Sequence, residues 1–210
     1  MNHVYVFGSL VRGDYDNYSD IDLLALVSSY NEKYDINKFS IYSYERIKEL
    51  WNQGNPFAWH LSIESKLVYS SDGKDFIAEL GTPSDYKNAV HDCNKFLTLY
   101  LDSKRSLLNN TNSVVFEISN IFLAIRNFST CFALSKGENI FSRDSSKLLG
   151  KNSLNISEST YDILVRARIL STRGTGEILS GTEIQKVKTS LPHIDSWFNS
   201  LNMEIDNGRI

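Results

Sequence analysis

Four residues near the N-terminus have the types and spacing to do chemistry: Gly8, Ser9, Asp20 and Asp22, in the run Gly8-Ser9-Leu10-Val11-Arg12-Gly13-Asp14 through Ser19-Asp20-Ile21-Asp22. A Gly-Ser pair directly after an apolar run leaves backbone N–H groups and a hydroxyl facing open space, which makes a phosphate cradle. Arg12 adds a forked donor beside it. Asp20 and Asp22 stand two apart at the start of a strand pattern, so the period of two places both carboxylates on one face. Such a pair repels unless a cation sits between its members. A hard divalent ion such as Mg²⁺ takes one or two carboxylates together with substrate phosphates. Singly, a Gly-Ser turn or an aspartate pair is an ordinary surface feature; joined at this spacing they point to a magnesium-loaded triphosphate.

The elements that must position these residues follow from periodicity. His3–Phe7 alternates and is rich in β formers, Ile21–Val27 is a mostly apolar run of strand length, and Lys38–Ser43 alternates again. Tyr44–Gln53 reads as a helix capped by Ser43. A further helix precedes Leu67-Val68-Tyr69, an edge strand. Together these make a small mixed sheet with helices.

From Tyr86 onward the period changes. Tyr86–Leu108, Val114–Ser135, Ser159–Leu170 and Thr182–Leu201 carry apolar residues at three and four spacings over helical lengths, predicting a helical bundle. Ser159 and Thr182 are the expected N-caps, Thr182 with Gln185 as a capping box, and Gly137 the C-cap. Ser70-Ser71-Asp72-Gly73 and Gly81-Thr82-Pro83 concentrate breakers, which sets a linker at 70–84. The fold class is α+β: a small mixed-sheet domain at 1–70 followed by an α-helical bundle domain at 84–205.

Composition bounds the function. The chain has 210 residues, 41% apolar and 12% aromatic, enough to bury a core. Its net charge of −3 removes the bulk electrostatic case for wrapping nucleic acid or adhering to an anionic membrane. The charge is uneven: the first 83 residues hold 7 basic and 12 acidic groups, and the remainder is slightly basic. The two cysteines, Cys93 and Cys131, lie far apart with no CxxC pair, no charged-then-apolar leader opens the chain, and no run reaches membrane-spanning length; the expectation is a reduced, cytoplasmic protein with no membrane partner. His3, His91 and His193 have no ligand spacing for zinc.

The Gly8-Ser9, short spacer and Asp20-x-Asp22 pattern resembles the DNA polymerase β-like nucleotidyltransferase superfamily, and Arg12-Gly13 and Ser19 match its minimal members, such as aminoglycoside nucleotidyltransferases and the partners of helical HEPN-type proteins. The resemblance is tight over about residues 4–27 and loose over 38–69. The helical half is similar to the substrate-binding domain that follows such catalytic domains, chiefly through Phe122-Leu123-Ala124-Ile125-Arg126-Asn127 and Phe141-Ser142-Arg143.

The resemblance implies transfer of a nucleoside monophosphate from an NTP, ATP first among them, to a hydroxyl with release of pyrophosphate, at a cleft between the domains. Asp20 and Asp22 would hold Mg²⁺, while Gly8, Ser9, Arg12 and Ser19 would grip the nucleotide. A small hydroxylated acceptor is the expected partner. The alternatives are a tRNA or protein acceptor in a toxin–antitoxin or phage-defence pair, or a catalytically silent nucleotide-binding protein. After Arg126 no histidine follows a spacer of four to six residues, which disfavours HEPN-type nuclease activity. Little chain precedes the first strand, and a sheet edge exposed there would favour a homodimer.

One departure stands out. The family supplies a third carboxylate from a neighbouring strand, and here Lys38-Phe39-Ser40-Ile41-Tyr42-Ser43 puts Ser40 in that place, with Asp35 falling before the run. Glu64, and His60 one helical turn before it, are the replacement candidates, His60 as general base. Their i,i+4 spacing also fits a plain surface pair. The arginines at 126, 143, 166, 168 and 173 read either as ordinary salt bridges or as a basic rim for an anion.

Overall fold

The computed structural model describes residues 2–15, 20–29, 34–109 and 111–206. Its backbone divides into two compact units, one ending at Lys87 and the other beginning at Asn88.

In the first unit, the alternation of Asn2–Phe7 produces strand β1, with His3, Tyr5 and Phe7 pointing into the core. β2 (Asp22–Val27) runs antiparallel beside it, with Phe7 opposite Asp22 and Tyr5 opposite Leu24. β3 (Phe39–Ser43) lies parallel to β2, and β4 (Ser65–Ser70) pairs antiparallel with the other side of β1. The sheet order is β3-β2-β1-β4, the mixed sheet expected, with β4 on the edge. β1 is paired on both sides, so among the described strands the edges of the sheet are β3 and β4.

Helices α2 (Tyr44–Asn52), α3 (Pro56–Glu64) and α4 (Phe76–Leu80) cover one face of this sheet. Tyr5, Phe7, Leu24 and Leu26 meet Ile47, Leu50, Trp51, Ala58, Leu61, Phe76 and Ile77 in one apolar cluster. Each large side chain removed from water there contributes about 1.5–3 kcal/mol. Caps fix the helix starts: Ser43 accepts from the Arg46 N–H, Asn55 from Phe57 with Pro56 at the first turn, and Asp75 from Ala78.

The stretch 70–84, expected as a linker, instead folds into the first unit. Phe76 and Ile77 are buried, the Tyr5 hydroxyl donates to Asp75 and accepts from the Ile77 N–H, and Trp51 and Trp59 donate to the carbonyls of Gly81 and Ser84. The turn residues are real, but they flank a five-residue helix too short to show a period.

The second unit is the expected helical bundle: α5 (Ala89–Leu108), α6 (Val114–Ser135), α7 (Glu158–Arg173) and α8 (Gly181–Asp206). α6 is buried around much of its circumference, and Phe198 stacks on Tyr100 with centroids 4.5 Å apart and meets Phe128 of α6 edge-on at 4.9 Å. Both N-cap expectations are two residues late. Ser157, not Ser159, caps α7 by accepting from the Thr160 N–H. At the head of α8, Ser180 and Glu183 exchange hydrogen bonds in place of Thr182 and Gln185. Lys136 is the C-cap of α6, and Gly137, the expected cap, stands one residue beyond it with φ 77°. Cys93 and Cys131 are buried thiols not joined in a disulfide, and burial pushes the Cys93 thiol up. Among the described residues no helix is long and apolar enough to cross a membrane.

Candidate active site

The site grows from the end of β1. After Phe7 the chain turns at Gly8, with φ 76° and ψ −143°, into a single helical turn, α1 (Ser9–Arg12), closed by Gly13 in the left-handed region. The Gly8 carbonyl accepts from the N–H groups of Val11 and Arg12. The Ser9 and Leu10 amides therefore stand at the open head of the turn. A side chain at Gly8 would be strained by its φ and would also bring a Cβ to 2.7 Å from Asp22 Oδ2. Only glycine lets the turn pass this close to the carboxylate. The Gly-Ser turn and Asp22, fourteen residues apart in sequence, thus meet in space.

Asp20 is exposed and precedes β2 rather than lying in it, so strand pairing fixes Asp22 but not Asp20. Ser19 lies outside the described residues. Among the described residues no group of three or more His, Cys, Asp or Glu side chains gathers into a cation site. Ser40 pairs in register with Leu24, so the pleat puts it on the same side of the sheet as Asp22, one residue pair further along. It is exposed and is no carboxylate. Asp35 is occupied with its own turn, accepting from the Asn37 N–H and side-chain amide at 2.9 Å.

Glu64 is tied to the turn twice. Its backbone carbonyl accepts from the Gly8 N–H at 3.1 Å, and its carboxylate pairs with the Arg12 guanidinium. The same carboxylate oxygen lies 2.8 Å from His60 Nε2. Glu64 is only 6% exposed, so the His60–Glu64 pair is internal and the surface reading fails. The His60 ring stands edge-on to Phe7 and Phe57, with centroids 5.6 and 6.5 Å away.

Arg12, expected as a phosphate donor, holds two carboxylates, Glu64 through Nη1 and Asp14 through Nε, the latter at 3.0 Å. Burial pulls the Arg12 pKa down, and the hydrogen bonds to Asp14 and Glu64 outweigh it, so the charge is held more firmly than usual. Asp14 and the Phe7–Phe57 bracket around His60 were not singled out from the sequence. The Arg12-Gly13-Asp14 spacing across a left-handed glycine is the signal that could have found the first. The second depends on packing alone.

Residues 2–81 match the family model described as a nucleotidyltransferase domain. The first unit is therefore a nucleotidyltransferase domain of the DNA polymerase β-like superfamily, which puts its chemistry in the class of nucleotidyl transfer. Among solved structures the chain is similar to spectinomycin adenyltransferase AAD(9) from Enterococcus faecialis, solved with ATP and spectinomycin. The two share 16% identity over 95% of this chain and 90% of that one, with a TM-score of 0.43. No curated protein matches the chain.

Proposed function

We propose that the chain transfers a nucleoside monophosphate from an NTP, ATP first, to a hydroxyl of a small acceptor. The acceptor oxygen bonds to the α-phosphorus, the bond from that phosphorus to the β-bridging oxygen breaks, pyrophosphate leaves, and the acceptor proton passes to a base. The observation that carries this reading is the close approach of Asp22 to Gly8, which sets a carboxylate against a turn whose head amides face outward.

That pairing suits a magnesium-bound triphosphate, whose metal Asp22 and Asp20 would hold. When bound, the metal would neutralise oxygen charge on the transferring phosphoryl group. Gly8 and Ser9 receive phosphate oxygens through backbone amides and the Ser9 hydroxyl. Arg12, oriented by Asp14 and Glu64, supplies fixed positive charge beside them. His60 takes the acceptor proton, with Glu64 holding its ring, because the strand that would carry a third carboxylate offers Ser40. A small acceptor agrees with the near-neutral charge of the helical half.

The absence of an acid at Ser40 favours a second reading, in which the domain binds nucleotide without turnover. One experiment separates them: calorimetry with ATP and Mg²⁺, run beside a pyrophosphate-release screen of labelled NTPs against antibiotics, total tRNA and lysate protein. Transfer requires release that Asp22→Asn lowers at least about 100-fold with the fold intact, and that His60→Gln lowers by about 10²–10⁴. Binding without release in every arm selects the silent reading, and release restored by Ser40→Asp alone identifies the missing acid as the reason.

A further inference from the structure

The helical unit holds a second place able to bind a ligand. A groove of about 530 Å³, open to solvent, lies between the segment leading into α7 and one face of α8. Ser157, Thr160, Lys186, Thr189, Ser190 and His193 line it. A second cavity of about 350 Å³ continues from it, sharing Asn155 and His193 and reaching Trp197. Among the described residues no carboxylate lines either groove.

The hydrogen bonds already made inside this groove decide what it can still offer. Thr189 donates its hydroxyl proton to the Gln185 carbonyl and Ser190 donates to Val187, at 3.0 and 2.7 Å. Their oxygens therefore have only acceptor lone pairs left to offer, which suit the hydroxyl groups of a ligand and repel a bare anion. Lys186 supplies the opposite. Its ammonium is steadied by the Ser159 hydroxyl at 2.5 Å, and among the described residues no carboxylate pairs with it. Other cations of the unit have such partners: Lys104 with Asp195, Lys136 with Glu204, Lys147 with Glu158, and Arg166 with Glu183. An anchored ammonium without a counter-charge, next to hydroxyl acceptors and the His193 and Asn155 side chains, matches one charged end and one hydroxyl-rich body.

We propose that this groove binds a small phosphorylated, hydroxyl-rich molecule, its phosphate on Lys186 and its hydroxyls on Thr189 and Ser190. A sugar phosphate and a nucleotide share this chemistry. The site is independent of the transfer reaction and stands whether or not that reading does.

Titration calorimetry on the full chain tests it with four probes: ribose 5-phosphate, AMP, ribose and inorganic phosphate. Saturable binding of ribose 5-phosphate or AMP is expected, at least tenfold tighter than ribose or inorganic phosphate, and the first two probes distinguish a sugar phosphate from a nucleotide. Lys186→Ala should weaken it at least tenfold and Lys186→Arg should largely retain it, with circular dichroism unchanged because Lys186 is exposed. The proposal is overturned if neither phosphorylated probe binds, if inorganic phosphate binds as tightly as ribose 5-phosphate, or if Lys186→Ala changes nothing. AMP binding that survives Lys186→Ala belongs to the Gly8–Asp22 turn and counts against the groove.

Discussion

Gly8 carries two constraints at once, a backbone that only glycine adopts freely and an approach that leaves no room for a methyl group. Each is independent of the other, so relaxing the neighbouring side chain would not make the position tolerant. Gly8→Ala is expected to cost about 1–3 kcal/mol in urea unfolding of the first unit, through strain at the left-handed φ. It should also weaken ATP binding more than it weakens the fold, because the added Cβ pushes on the Asp22 carboxylate. Equal stability of the variant and the parent would mean that the turn opens elsewhere. Glu64 shows how one residue can serve two roles: its carbonyl fixes the turn through Gly8, and its carboxylate pairs with Arg12 and lies against His60. A lone buried carboxylate would be costly, and the two cationic or protonatable partners offset that cost.

At the scale of elements, helix starts show what local sequence leaves open. Each cap region holds two hydroxyl residues two apart, Ser157 with Ser159 and Ser180 with Thr182, and any of them has the chemistry of a cap. The choice falls on the residue whose backbone is extended, as for Ser157 at φ −62° and ψ 143°, and that is set by how the preceding chain packs. The head of α8 adds a pH dependence. The Ser180 N–H, then Arg166, then the Ser180 hydroxyl hold the Glu183 carboxyl down to about 2, from an ordinary 4.5. Because the folded pKa is the lower one, this stabilisation is complete above the unfolded pKa and is lost as pH falls from about 4 toward 2. In an acid titration followed by circular dichroism, Glu183→Gln should lose the corresponding part of the unfolding limb and leave stability at pH 7 only slightly reduced, since the group is exposed.

For the whole molecule, the division falls after Lys87, and α4 belongs to the sheet unit. Phe76→Ala should therefore destabilise that unit by about 3–5 kcal/mol in thermal or urea unfolding, the cost of emptying a buried aromatic site. A residue in a true linker would give less than about 0.5 kcal/mol. The amino-acid sequence alone was enough for the mixed sheet, the helical bundle, the bounds of α6 and the Gly8-Ser9 to Asp22 signature, because periodicity, breakers and paired carboxylates act over short stretches of chain. Only the tertiary structure decided that Gly8 and Asp22 lie side by side, that Arg12 pairs with Asp14 and Glu64, that His60 and Glu64 are internal, and that 70–84 folds instead of linking. Those outcomes depend on which distant segments share a desolvated space, and no local pattern encodes that.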